Sequence, residues 1–439
     1  MTHRTPTRPL LLAAAAALLL APSLRAQAVQ DYAATITVAD PRSPIASKPG
    51  ALTLQQVLDA ARLHNPTLLA AERNLSAVRA QEIQAAVRAN PYLQINGSNV
   101  TYPADSFVNN PYTYTAQVSR LFERGNKREW RIDTAKATTA QTAAQLEDQI
   151  RQLNLTLKTA FTEMLEAKAS LQLTTAQLKE FQHEVDIAEI RYHAGDLARI
   201  DFERLDLQLA SFESSEATDL VNLRQASAQL QTLIGSATIS PDFDIAGSIV
   251  PPTIPQTLAD LTQTALDKRP DLHAAQSAVD AAVANQKLTF ANGTTDPTLE
   301  VEYDRAGHEN SVGFYINIPL RLFDRNQGNK QTSIFQTQAS RFTLTAAHNL
   351  VVSDVDQAFG GYLQSKRLSD RYTTRYLDES KDILSIAQYA FEHGGIALID
   401  YLDAVRDTRT TDAAALAAYQ QTWLAIHQLS AASATELVP

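Results

Sequence analysis

From Asn126 to Ala194 the chain runs for sixty-nine residues without a glycine or a proline, although 14 glycines and 18 prolines are spread over its 439 residues. At average spacing about five of these breakers would fall in that window. One helix of that length reaches ~100 Å, roughly three times the width of a small domain, so the chain cannot close into an ordinary globule. Within the run Leu146, Ile150, Leu153, Leu157, Ala160, Met164, Ala167, Leu171, Thr174, Leu178, Phe181, Val185, Ala188 and Tyr192 alternate steps of four and three, and only Thr174 is polar. Such a heptad seam requires a partner helix of matching length. A long coiled-coil object is expected, not a compact enzyme.

The N-terminus indicates where this object works. Arg4 and Arg8 precede an apolar stretch, Leu10 to Ala21, that is too short for a bilayer, and Ala26-Gln27-Ala28 supplies small residues for cleavage. Residues 1–28 are expected to be a cleaved secretory signal; the alternative is a buried N-terminal helix. No cysteine is present, which excludes disulfides, thiolate metal sites and a lipidated N-terminal cysteine. Removing the signal takes away Arg4, Arg8 and Arg25 and no acid, so the formal charge moves from −10 to −13. Nucleic acid is therefore not an expected partner. No later segment holds the roughly eighteen apolar residues of a membrane helix, so membrane contact must come from strands or from helix surfaces.

The chain also repeats itself. Thr53-Leu54, Asn65-Pro66, Leu68 and Ala70-Ala71 recur as Thr257-Leu258, Arg269-Pro270, Leu272 and Ala274-Ala275. Leu121-Phe122-Glu123-Arg124 recurs as Leu322-Phe323-Asp324-Arg325, and Tyr192, Gly195, Ala198, Ile200, Asp201 and Phe202 match Phe391, Gly394, Ala397, Ile399, Asp400 and Tyr401. Three matches in the same order indicate a duplicated unit. The expected organisation is an extended or disordered lead-in over 29–51, a first unit over 52–234, a linker over 235–255 and a second unit over 256–438. In the first unit strands are expected near 92–99 and 113–121, a long helix over 126–194, a tip at 195 and a return helix over 196–234. In the second, strands near 298–304 and 311–319 lead to a long helix over 329–393, a tip at 394 and a return helix over 396–435. Gly360-Gly361 lies inside that helix and is the candidate for a bend.

The strand pairs alternate in polarity. Leu93 and Ile95, Tyr114 and Val118, Leu299, Val301 and Tyr303, and Val312, Phe314, Ile316 and Ile318 fall on one face; Glu300, Glu302 and Asp304 fall on the other. A soluble sheet on a core has the same pattern, but here the helices are committed to their own seams and none is left to cover the apolar face. The apolar residues are therefore expected to face lipid, and the three acids an aqueous lumen that favours cations. Four strands cannot close a barrel, so several chains must pool them, and three copies giving twelve strands fall within the usual range.

With these features the sequence resembles the TolC family of outer-membrane efflux proteins from about residue 52 onward, through the repeat, the Asn65-Pro66 and Arg269-Pro270 elements and the two glycine turns followed by an acid. The resemblance implies a mainly α fold with a small β part. Each chain gives four strands to a trimeric twelve-stranded transmembrane barrel, which a coiled-coil helical barrel continues across the periplasm. It also implies a periplasmic adaptor, an inner-membrane pump and outer-membrane lipid as partners. Phe122-Glu123 with Lys127-Arg128, and Ile318-Pro319-Leu320 with Leu322 to Gly328, look most like the branch serving cobalt-zinc-cadmium pumps, although Arg321 and Asn126 depart from its usual Pro and Gly.

Gly195, Gly394 and Gly395 are expected to end long helices as hairpin tips, far from the strands. The resemblance makes these tips, with Asp201, the closed mouth and the adaptor contact. Asp400 and Asp403 match the family's ring of entrance aspartates; the plainer alternative is acids placed in a helix's first turn by its dipole. Where relatives hold an arginine that closes the mouth onto the acid at Asp201, this chain has Ile396, so Arg199, Arg204 or Arg406 would have to supply any ionic latch. His193 and His393 precede the tip glycines, but capping and dipole explain them, and no metal set or cofactor is expected. No phosphate loop, nucleophile elbow or zinc motif marks an enzyme. The expected function is the exit duct of a tripartite efflux system, with heavy-metal cations as the candidate cargo; a soluble periplasmic coiled-coil scaffold or adaptor is the alternative.

Overall fold

The computed structural model describes residues 40–98 and 112–438. The signal segment expected at 1–28 and the first part of the lead-in lie outside them. From Asp40 to Gly50 the chain is a strap without helix or strand, turning at both ends and tied to the body at several points. The Ala46 amide donates to Gln172 Oε1 at 2.9 Å, and the Lys48 amide to Asp244 Oδ2 at 2.7 Å.

Helix α1, Leu54–His64, starts on a capping box in which Thr53 and Gln56 each accept the other's backbone N–H. Asn65 then caps α2, Pro66–Ala86, accepting from the Leu68 amide at 3.0 Å, and its amide group donates to the Leu233 carbonyl at 2.8 Å. Strands β1, Tyr92–Ser98, and β2, Thr113–Leu121, lead into α3, Lys127–Ala194, of 68 residues. Helix α4, Arg199–Ile234, returns along it. The second half runs α5, Leu258–Lys268, α6, Pro270–Ala291, β3, Thr298–Ala306, β4, Glu309–Asn317, and α7, Gln327–Arg371. A π turn, Tyr372–Tyr376, separates α7 from α8, Leu377–Glu392, and α9, Leu398–Ser433, returns.

Every seam residue from Leu146 to Tyr192 is buried or half-buried. Leu157, Met164 and Leu165 lie with Val57, Leu230, Leu416 and Tyr419 in one apolar cluster. Each such aliphatic side chain contributes ~1.5–3 kcal/mol. A second cluster joins Leu261, Val351, Val355, Tyr362 and Ile426, and a third near the tips joins Phe181, Leu205, Phe212, Leu398 and Tyr401.

The segment 235–255 that joins the halves is packed: Ile245 and Ile249 are buried in the first cluster, Ile254 in the second, the Leu52 amide donates to the Asp244 carbonyl, and the Ala246 amide donates to the Leu52 carbonyl. Two expectations need revision. The second long helix begins at Gln327 instead of 329 and breaks at the π turn, not at Gly360-Gly361. Both glycines are exposed, and the helix passes through them because Ala358 and Tyr362 on its other face are held in the core. Strand β4 ends at Asn317, so Ile318 lies one residue beyond it.

The four strands form one antiparallel sheet in the order β1-β2-β3-β4. The register aligns Leu93, Val118, Val301 and Phe314 in one row and Ile95, Ala116, Tyr303 and Val312 in another, with Leu299 opposite Ile316. Between these rows, on the other face, Gln94, Gln117 and Glu302 align, as do Ser119, Glu300 and Tyr315.

Candidate functional site

Burial in the sheet is inverted relative to a soluble protein. On β2 and β3 the apolar positions Tyr114, Val118, Leu299, Val301 and Tyr303 are exposed, while the polar residues between them are half-covered. Phe314 is 79% exposed, and Leu93, Ile95, Val312, Ile316 and Ile318 are open as well. The polar face is internally bonded. Thr115 donates to Asp304 Oδ1 at 2.6 Å, Asn317 to Glu300 Oε2 at 2.9 Å and Tyr315 to Glu302 Oε1 at 3.1 Å. Gly313 permits the last bond, because the Tyr315 ring lies where a Cβ at 313 would sit, 2.8 Å away.

Strands hand over to helices through a rigid joint. Asn126 and Asn326, which precede α3 and α7, adopt left-handed backbones with φ of 56° and 60°. Buried Lys127 donates to Asp296 Oδ2 at 2.5 Å and to the Thr294 carbonyl at 2.8 Å, tying the start of α3 to the approach to β3. Arg131 pairs with Glu123, and Arg128 donates to the Ala86 carbonyl at 2.6 Å, capping the end of α2. These partners sit up to 169 residues apart, so the sequence motif around Lys127 was visible but its function was not.

At the opposite end Gly195 and Gly394 take φ of 85° and 71°, which lets the chain leave each helix. Gly395 follows, donating to the Ala390 carbonyl at 2.6 Å. Each turn is stapled by parallel rings, Tyr192 on Phe202 at 5.3 Å and Phe391 on Tyr401 at 5.2 Å. Arg191 of the first tip stands 5.9 Å over the Phe391 ring of the second. These aromatic pairs occupy matching places in the repeat, which is the signal that could have singled them out.

The arginines considered for a latch are engaged locally. Arg204 faces Asp201 at 3.8 Å, Arg199 binds Glu203 at 2.8 Å and Arg406 binds Asp403 at 3.2 Å, each within its own helix. Asp400 and Asp403 are exposed on the first turns of α9. The structure thus brings the two tips together but places Glu300, Glu302 and Asp304 in the sheet at the far end of the arms. Among the described residues, no three His, Cys, Asp or Glu side chains are placed to hold a metal ion. His393 stacks on Tyr389, and its Nδ1 lies 2.8 Å from the Tyr389 carbonyl.

Sequence reasoning passed over two buried titratable groups. Burial pushes the Asp412 carboxyl up to about 7; Gln177 donates to its Oδ2 at 2.9 Å, and its Oδ1 has no hydrogen-bond partner. Burial pushes His427 down to about 3, with Lys158 adding to the effect, and its Nε2 lies 3.0 Å from Thr162 Oγ1.

A half-exposed amphipathic sheet carried by long paired helices defines the class of outer-membrane channels with a periplasmic helical body. The family described as "Outer membrane efflux protein" matches residues 57–236 and 261–435, and the chain belongs to it. It is an outer-membrane efflux channel that extends into the periplasm, in a family of ducts and not of enzymes. The chain is 26% identical over 359 residues to the cobalt-zinc-cadmium resistance protein CzcC of Cupriavidus metallidurans, covering 81% of this chain and 84% of that protein. The solved structure of CusC, a transmembrane channel, superposes with a TM-score of 0.74 at 18% identity, covering 90% of this chain and 97% of the other. The open state of the MtrE outer membrane channel of Neisseria gonorrhoeae gives 0.72 at 20% identity, over 91% and 90%. Among the described residues no helix is long and apolar enough to cross a membrane.

Proposed function

We propose that three copies pool their strands into a twelve-stranded barrel and their arms into a helical tunnel, forming the exit duct of a tripartite system for heavy-metal cations. The observation that carries this reading is the inverted sheet, apolar outside and acidic inside, with β1 and β4 left as open edges. A closed ring of copies satisfies both edges at once. Leu93, Ile95, Tyr114, Val118, Leu299, Val301, Val312, Phe314 and Ile316 face lipid, with Ile318 at the boundary. Glu300, Glu302 and Asp304 line the lumen. The two segments matched by the family and the twofold order of elements support a duplicated unit.

Gly195, Asp201, Gly394 and Gly395 form the mouth and the surface for a periplasmic adaptor, beyond which an inner-membrane pump supplies cargo and energy. Asp400 and Asp403 of three copies ring the opening and concentrate cations. The resemblance to CzcC, whose name states cobalt-zinc-cadmium resistance, supports divalent metal cargo. In planar bilayers under a salt gradient the protein is expected to give a cation-selective reversal potential, and Asp400→Asn with Asp403→Asn to move it toward zero. Anion preference, or a monomer that never conducts, would refute the proposal.

A further inference from the structure

The two arms are nearly equal in length, yet only the second is interrupted, at Tyr372–Tyr376. A π turn adds a residue to one helical turn and displaces carbonyls from their partners, and such turns gather where a helix must bend. Two groups reach this one from outside. Thr373 Oγ1 lies 2.9 Å from the Tyr419 hydroxyl of α9. Arg42 of the strap, 331 residues away in sequence, donates from Nη1 to the Thr373 carbonyl at 3.1 Å and from Nη2 to Asp378 Oδ1 at 2.8 Å.

The same guanidinium is gripped by Asp40, to which Nη2 donates at 2.9 Å, and Asp40 also accepts from Lys381 at 2.6 Å. Burial alone would raise the Asp40 carboxyl, but Arg42 and Lys381 outweigh it and hold it well below the usual carboxylate range. Two cations and two carboxylates thus close a network across the π turn, and Pro41 between the strap residues is buried. Beyond it the strap is tied to the first arm and to the segment joining the halves: Gln172 of α3 bonds the Ala46 amide and the Pro44 carbonyl, and Asp244 accepts from Lys48. The strap is therefore a strut with one foot on each arm.

We propose that Asp40 and Arg42 are positioning residues, through which the strap fixes the angle of the second arm at its π turn and so sets the place of the tip that carries Asp400 and Asp403. That the tip is the mouth rests on the function proposed above; the brace itself does not. Without Arg42 the Thr373 carbonyl and Asp378 lose the donor they share, and the strap no longer fixes the angle between α7 and α8. The first arm has no break to brace and keeps its seam.

The absence of cysteine makes a direct test clean. A spin label is placed on the assembled full chain at His393→Cys in one sample and at His193→Cys, in the last turn before the first tip glycine, in another, and distances between copies are read by pulsed electron resonance. Arg42→Ala is expected to broaden or shift the 393 distribution by several ångströms and to leave the 193 distribution unchanged. Arg42→Lys, which keeps charge but cannot serve Asp40, Thr373 and Asp378 together, is expected to fall between. Asp40→Asn gives a second route should Arg42→Ala fail to assemble. Unchanged distances at 393, or equal changes at both tips, would overturn the brace. Single-channel recording of the same variants separates the two proposals: wild type that never conducts refutes the duct, while the distances still judge the strap.

Discussion

The first arm, α3 with α4, and the second, α7 to α8 with α9, have matching lengths but are held straight by different means. The first has an unbroken long helix whose apolar seam runs without a slip from Leu146 to Tyr192, so its rigidity is spread over many small contributions. The second also packs apolar residues, Val355, Tyr362 and Leu377 among them, but it is split at Tyr372–Tyr376, where polar contacts from Arg42 and Asp40 of the strap and from Tyr419 of α9 meet the turn. Dispersed apolar packing resists any single change in angle. Concentrated polar bonding can be released at one place.

The largest expected effect tests the dispersed side. Leu157→Ala removes a fully buried seam residue and should cost ~2–5 kcal/mol by cavity formation, read as a lower denaturation midpoint. The same truncation at half-buried Leu384 in the second arm should cost clearly less; equal losses would erase the distinction.

Asp412 of α9, between Gln177 of the first arm and the Lys381–Asp40 pair, sharpens the polar side. Its carboxyl titrates at about 7 in the fold against an ordinary 3.8, so the folded state holds an extra proton between these values. Stability therefore falls as pH rises from about 4 to about 7, and the loss is complete above it. Asp412→Asn should flatten that slope in melting scans across the window; an unchanged slope would place the carboxyl's titration elsewhere.

A smaller change concerns the contact between the arms at their ends. Arg191→Ala removes the cation over the Phe391 ring, a contact worth ~0.5–1 kcal/mol, and should raise the frequency of channel opening about two- to fivefold. A variant that opens no more often than wild type would show that this contact does not hold the tips together.

Features with a period were legible in the sequence. The breaker-free run ends where α3 ends, and alternation in β2 and β3 carries the two faces that the register aligns. A mainly helical chain with a four-stranded sheet follows from those two periods. Features created by distant partners were not legible. Tyr372 to Tyr376 contains no glycine or proline to mark it, and the groups that meet the π turn, Arg42 and Tyr419, lie far away in sequence. Gly360-Gly361 misled for the opposite reason, because a local breaker is overruled by Tyr362 and Ala358 packed beside it. The prolines of the strap and of the segment 235–255 look like solvated chain, yet Ile245, Ile249 and Pro41 between them are buried. In the site, the acids of β3 announce themselves by alternation, whereas Lys127 with Asp296 joins residues that only the fold brings together.

The sheet has two different borders, β1 and β4, and in the ring proposed above each subunit pairs with a neighbour on both. A polypeptide damaged along β4 alone still offers an intact β1. It would be accepted into a growing assembly on its sound side and then block completion on the other. Mutations of that border should therefore behave as poisons when co-expressed with the normal gene, whereas a chain that fails to fold is merely missing.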